Sequence, residues 1–191
     1  KRDEAFEDYM IVVPEGSSLT LKDVTIDGGA VWNGAKDATI GRGKENSGVE
    51  ATSAMIYNFG TLTVKSGTIL ENNDNTTTSG AIAMKDEETG EYTFPSVTDK
   101  VRFGGAVLNG GLMKISGGTI RNNNVGWRGA GIASYGKIEM TGGTISGNYA
   151  RNGWGDGGAI YLSGVKNDTG EDYTASDASY CTISDGNFTN N

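Results

Sequence analysis

The chain has 191 residues, 31 of them glycine and 2 proline, and is 36% apolar. That is one domain's length with a thin core, and it excludes collagen and proline-rich linkers. A net charge of −8, no basic run and no apolar stretch of the roughly 18 residues a span needs disfavour nucleic acid, an anionic membrane and membrane insertion, while one cysteine and no histidine remove internal disulfides, His-dependent triads and His metal ligands.

The chain opens on Lys1, Arg2, Asp3 and Glu4, and the apolar run Met10 to Val13 is shorter than the about 7–15 residues of a signal peptide core. A fragment of a larger protein is expected, with any targeting signal outside it. Residues 1–9 are expected to cover one end of the fold. From there one frame recurs: Gly, then two apolar residues at alternating positions, then Gly or Ser, Gly, Thr, Ile. It runs from Gly60 to Ile69, from Gly111 to Ile120 and from Gly136 to Ile145, with degenerate copies at Ser17 to Ile26 and Ser179 to Phe188. Ile120 and Ile145 are 25 residues apart, and the wider spacings elsewhere read as one repeat plus an insertion. A second frame precedes the first at Ser53 to Ile56, Gly104 to Val107, Gly129 to Ile132 and Gly157 to Ile160, with Met10 to Val13 in its place in the first copy.

Two-residue alternation signals strands, and Gly and Asn clusters signal turns. Three short strands per repeat cannot bury a face alone, but stacked repeats can. The predicted fold is all-β: a right-handed parallel β-helix, a pectate-lyase-like solenoid of about five coils with loop insertions, spanning residues 1–191 as a single domain. Three inward ladders follow. Leu19, Leu62, Met113, Ile138 and Cys181 form the first; Leu21, Val64, Ile115, Met140 and Ile183 the second; Ile26, Ile69, Ile120, Ile145 and Phe188 the third. Cys181 is thereby expected to be a buried small hydrophobe rather than a reactive thiol. The Gly-Gly pairs are expected to supply positive φ at corners. Asn72 and Asn73, Asn122 to Asn124, Asn148, and Asn190 and Asn191 follow the third strand, where stacked amides would bond repeat to repeat.

The Gly-Gly-Ala-Ile element at Gly157 to Ile160 and the Phe-x-x-Asn element at Phe188 to Asn191 resemble the repeats of chlamydial polymorphic membrane proteins and related β-helix adhesins. Ile69, Ile120 and Ile145 stand for Phe in the other copies, each with Asn three residues later. Similar Gly-Thr-Ile repeats occur in large surface proteins of gut Firmicutes. The resemblance implies surface display and adhesion to host or matrix components; no autotransporter barrel accompanies it here.

Insertions on a solenoid collect on one side and carry binding. Four are expected at one corner: Asp27 to Thr52, Asp74 to Phe103, Arg121 to Arg128 and Ser146 to Asp156. A fifth, Ser163 to Ala178, belongs to another. Trp32, Trp127 and Trp154 lie in the first corner with Tyr149, Arg128 and Arg151. Trp127 and Trp154 occupy matching places in successive repeats. Exposed Trp, Tyr and Arg anchor protein interfaces, and Trp stacks on sugars; the other reading is that these side chains pack their own loops onto the stack.

Hydrolytic β-helices need paired carboxylates roughly 5–10 Å apart, and lyases need a Lys or Arg base and often Ca²⁺. Asp168, Glu171, Asp172 and Asp177 cluster in one insertion and Asp86, Glu87, Glu88 and Glu91 in another, as solvated loop charge or as metal ligands; Lys100, Arg102, Arg128 and Arg151 are the base candidates. The reading leans away from an enzyme and assigns no catalytic residue, metal or cofactor. The expected function is a secreted or cell-surface binding module, monomeric, that takes a host glycoprotein (immunoglobulin is the concrete case) or a glycan. A polysaccharide-lyase-like enzyme fragment and a structural spacer are the alternatives.

Overall fold

The computed structural model describes residues 1–3, 6, 8–76, 84–85, 92–93, 103–151, 157–162 and 180–191. The protein is all-β: among the described residues there is no helix, and the sheets are mostly parallel. Apart from two short antiparallel pairs, Trp32–Asn33 with Glu45–Asn46 and Met84–Lys85 with Tyr92–Thr93, the described strands pair with the equivalent strand of a neighbouring repeat, an arrangement compatible with a β-solenoid.

The first sheet has five parallel strands in the spatial order Ile11–Val13, Ile56–Asn58, Val107–Asn109, Ile132–Ser134 and Ile160–Leu162. Ile11, Ile56, Val107, Ile132 and Ile160 are in register, so the first repeat enters this sheet at Ile11 rather than Val13. The second sheet stacks Ser18–Leu21, Thr61–Val64, Leu112–Arg121, Lys137–Ser146 and Cys181–Thr189. Two of the expected ladders are observed in it residue for residue, from Leu19 to Cys181 and from Leu21 to Ile183. They join the first sheet's ladder in one core, where Leu62, Val64, Met113, Ile138 and Met140 have no exposed surface.

The third ladder departs from expectation in the second repeat. Ile26 and Ile120 pair with Leu70, not Ile69. Five residues separate Ile115 from Ile120 and Met140 from Ile145, but six separate Val64 from Leu70. The extra residue is absorbed in a turn at Gly67, where φ is 78°. Leu70 is consequently buried, while Ile69 aligns with Thr25 and Thr119 and is half-buried. Cys181 is also only half-buried, because it sits on the outermost strand of the sheet; Ile183 and Phe188 on the same strand are 48% and 40% exposed. Desolvation nonetheless pushes the Cys181 thiol pKa up.

The glycines serve two purposes. Gly118 and Gly143 take positive φ at the corner, as expected, with values of 82° and 101°. Gly111 and Gly136, which open the repeated frame, are required by proximity: a Cβ on Gly136 would lie 2.1 Å from Gly111 O, and one on Gly111 2.2 Å from Gly60 O.

Two columns of amides tie the repeats together. Asn72, Asn122 and Asn190 turn the chain with φ of 54–58°, and the asparagine that follows each points inward. Asn73 N donates to Asn123 Oδ1 (3.0 Å), Asn123 N to Asn148 Oδ1 (3.1 Å), and Asn148 N to Asn191 Oδ1 (3.3 Å). The second column went unread in the sequence: Asn58 Nδ2 donates to Asn109 Oδ1 (2.6 Å), and Asn109 Nδ2 to Ser134 Oγ (2.9 Å). At the first repeat the buried Arg2 guanidinium donates to Asn73 Oδ1 (3.1 Å) and to the carbonyls of Phe6 and Asp8, so Arg2 sits at the head of the asparagine column. Burial pulls the Arg2 pKa down to about 10, opposed by the Asp8 carboxylate.

These contacts predict two outcomes in chemical denaturation. Leu70→Ala leaves a cavity in the core and costs about 3 kcal/mol, whereas Ile69→Ala costs under about 1 kcal/mol; equal losses would contradict the register. Asn123→Leu strands the Asn73 amide and the carbonyls of Leu70 and Arg121 that the Asn123 side chain now meets, a loss of about 3 kcal/mol.

Candidate binding surface

The structure divides the candidate side chains between two places. The first is built by residues 28–50, which lie as a strap over the short parallel sheet Asp74–Asn75, Asn124–Val125 and Tyr149–Ala150. The strap is tied at its ends, where Ala30 N donates to Asn72 O (2.9 Å) and Ala51 N to Asp74 O (2.7 Å). It folds back on itself through an antiparallel pairing of Trp32–Asn33 with Glu45–Asn46. Its Arg42 spans two further repeats, donating through Nε to Gly147 O (3.1 Å) and through Nη2 to Asn124 Oδ1. The Arg42 guanidinium also lies 3.9 Å from the Trp32 ring centroid. Burial lowers its pKa to about 10, the Asp74 carboxylate opposing this and the Arg151 charge adding to it.

Lys44 closes the strap on its other side. Its ammonium is 4.3 Å from the Tyr149 ring centroid and 2.8 Å from Asp37 Oδ2. Arg151 donates to Lys44 O and, at 3.4 Å, to Thr76 Oγ1. Trp32, Tyr149 and Arg151 therefore meet through the strap, and what they touch is the protein itself.

The second place is the outer side of the first sheet. Its central side chains Tyr57, Leu108 and Ala133 face away from the main core yet are at most 2% exposed. A second apolar layer of aromatic residues covers them. Tyr9 stacks on Tyr57 at 4.8 Å and Tyr57 packs against Phe59 at 4.2 Å. Further along, the buried Phe103 stacks on Trp127 (5.6 Å) and Tyr161 (6.3 Å) and meets Tyr135 edge-on (6.0 Å). Burial pushes the Tyr135 phenol up, helped by Tyr161 and Tyr57 and opposed by Arg128. Arg128 lies 5.2 Å from the Trp127 ring centroid and 4.9 Å from that of Tyr161, and donates to Tyr161 Oη at 2.9 Å. Trp127, Arg128, Tyr135 and Tyr161 are each partly open to solvent.

Trp127 and Arg128 thus belong to a different face from Trp32, Tyr149 and Arg151. Trp154 lies outside the described residues, and its proximity to Trp127 with it. So do Lys100, Arg102 and both acidic clusters. Tyr135, Tyr161, Phe103 and Phe59 were missed as site residues; for Phe59, Tyr135 and Tyr161 the legible signal was an aromatic in or just after a first-sheet strand, at a position alternation turns outward, whereas Phe103 precedes its strand and carried no such signal.

No protein-family model, no curated protein and no solved structure matches this chain.

The strap's charge pair makes its own prediction. Lys44, with the backbone amides of Thr39 and Ile40, holds Asp37 down at about 2, and Asp37 with Tyr149 raises Lys44. A depressed carboxylate contributes its stabilisation above the unfolded value near 4 and loses it as pH falls through the folded value. The Thr39 and Ile40 amide resonances are therefore expected to hold steady from pH 7 to 4 and to shift with a midpoint near pH 2. A midpoint near 4 would show that the pair does not form in solution.

Proposed function

We propose that the chain is a right-handed parallel β-helix serving as an extracellular, adhesin-like binding module, and that it takes a host glycoprotein or its glycan on the outer face of the first sheet. The observation that carries this reading is the Arg128 guanidinium set over both the Trp127 and the Tyr161 rings, with Tyr135 beside them just past the strand Ile132–Ser134. Partly open aromatic rings offer flat apolar area to a sugar face or a protein loop at small entropic cost, and a stacked arginine adds charge-assisted hydrogen bonding. The resemblance of the repeats to surface adhesins supports display outside the cell, and the net charge of −8 suits a soluble, outward-facing surface.

The spacer reading has an observation of its own. Trp32, Tyr149 and Arg151 are engaged in holding the strap against the stack, which is what side chains in a purely mechanical element do.

The two readings separate in an array of host glycoproteins, immunoglobulin included, and glycans. A specific hit is expected for the wild-type chain, weakened about 30-fold or more in a Trp127→Ala/Tyr161→Ala variant whose fold is verified by circular dichroism. Trp32→Phe is expected to bind as wild type. A hit that survives the double substitution moves the site elsewhere, and silence on every array, with acidic polysaccharides left uncleaved in Ca²⁺, favours the spacer.

A further inference from the structure

Three buried polar atoms between strap and stack have no hydrogen-bond partner: Asp74 Oδ1, Asn124 Nδ2 and Trp32 Nε1. Asp74 and Asn124 are fully buried. The other polar atom of each side chain is engaged, Asp74 Oδ2 accepting from Asn46 Nδ2 at 3.0 Å and Asn124 Oδ1 from Arg42 Nη2. Asp74 and Asn124 are partners on adjacent parallel strands, which places their backbones about 4.8 Å apart with side chains on one face. The Trp32 ring lies under the same Arg42 guanidinium that bonds Asn124. All three side chains thus border Arg42 at the seam between strap and stack.

Their chemistry restricts what can fill it. Two are N–H donors and the third is a carboxylate oxygen. A metal cation is opposed by both donors and by the charges of Arg42 and Arg151; an anion is opposed by Asp74. A small neutral molecule that accepts two hydrogen bonds and donates one or two satisfies all three atoms. Buried waters do this, typically making about three hydrogen bonds to groups the chain leaves unpaired.

We propose that a resident water is bound between the strap and the stack, accepting from Asn124 Nδ2 and Trp32 Nε1 and donating to Asp74 Oδ1. The strap is then seated on a wet polar seam, whereas the core beneath it is apolar. A segment held by water, two cation–π contacts and a few partly buried polar bonds opens more readily than the strands it covers.

The test is a high-resolution crystal structure of the chain together with water-to-protein NOE spectroscopy. Density within hydrogen-bonding distance of Asp74 Oδ1 and Asn124 Nδ2 is expected. So are NOEs from a long-lived water to the Asn124 side-chain amide and the Trp32 indole N–H, both lost in Asp74→Leu. A dry site, a direct Asp74–Asn124 hydrogen bond, or NOEs unchanged in a folded Asp74→Leu would overturn the proposal. Should Asp74→Leu fail to fold, the wild-type density decides alone.

Discussion

A parallel strand pair keeps two backbones about 4.8 Å apart, and everything in this chain has to fit that interval. Side chains on successive repeats sit almost in contact, so an inward column tolerates only residues that stack on their own kind. Leu62 on Leu19 and Ile145 on Ile120 satisfy this by dispersion and exclusion of water. Asn123 on Asn73 satisfies it by having both a donor and an acceptor. Where the chain itself must pass close to the neighbouring repeat, as at Gly111 and Gly136, no side chain fits at all. The economical apolar content follows: amides and glycines occupy interior places that a thicker core would give to hydrocarbon.

The same interval explains how the two candidate surfaces arise. Residues pointing outward from the first sheet are also stacked at strand spacing, and Tyr57, Leu108 and Ala133 are too apolar to be left wet. A second layer of rings covers them, and the outermost rings of that layer are what the protein presents to solvent. The strap answers the opposite problem. Asp74, Asn124 and Tyr149 are outward and polar, and the strap matches them with arginine, lysine and asparagine rather than with hydrocarbon.

Much of the architecture was legible because the repeat is written in apolar alternation. Two ladders, the asparagine column and the insertion from Asp27 to Thr52 could all be read from spacing. The failures have local causes. Leu70 replaced Ile69 because one added residue at the Gly67 turn shifts the frame, and an Ile-Leu pair gives alternation nothing to choose between. Val13 was aligned where Ile11 belongs because a four-residue apolar run has no period. Trp32 and Tyr149 looked like exposed anchors because the cations that engage them, Arg42 and Lys44, come from within an insertion whose course over the stack leaves no periodic trace. The aromatic layer escaped because its members are drawn from strands and corners of several repeats and converge only in space.

The asparagine column has a direction. Each backbone N–H donates to the amide oxygen of the repeat that follows, never to the one before. Such a file of aligned dipoles ends with an uncommitted acceptor at its first member, and there Asn73 Oδ1 receives the Arg2 guanidinium, much as a cation settles at the carbonyl end of a helix. The stack therefore has a head and a tail in the electrostatic sense. A repeat bearing its own asparagine can be grafted between any two internal neighbours without disturbing the file, but one inserted at the head must displace Arg2.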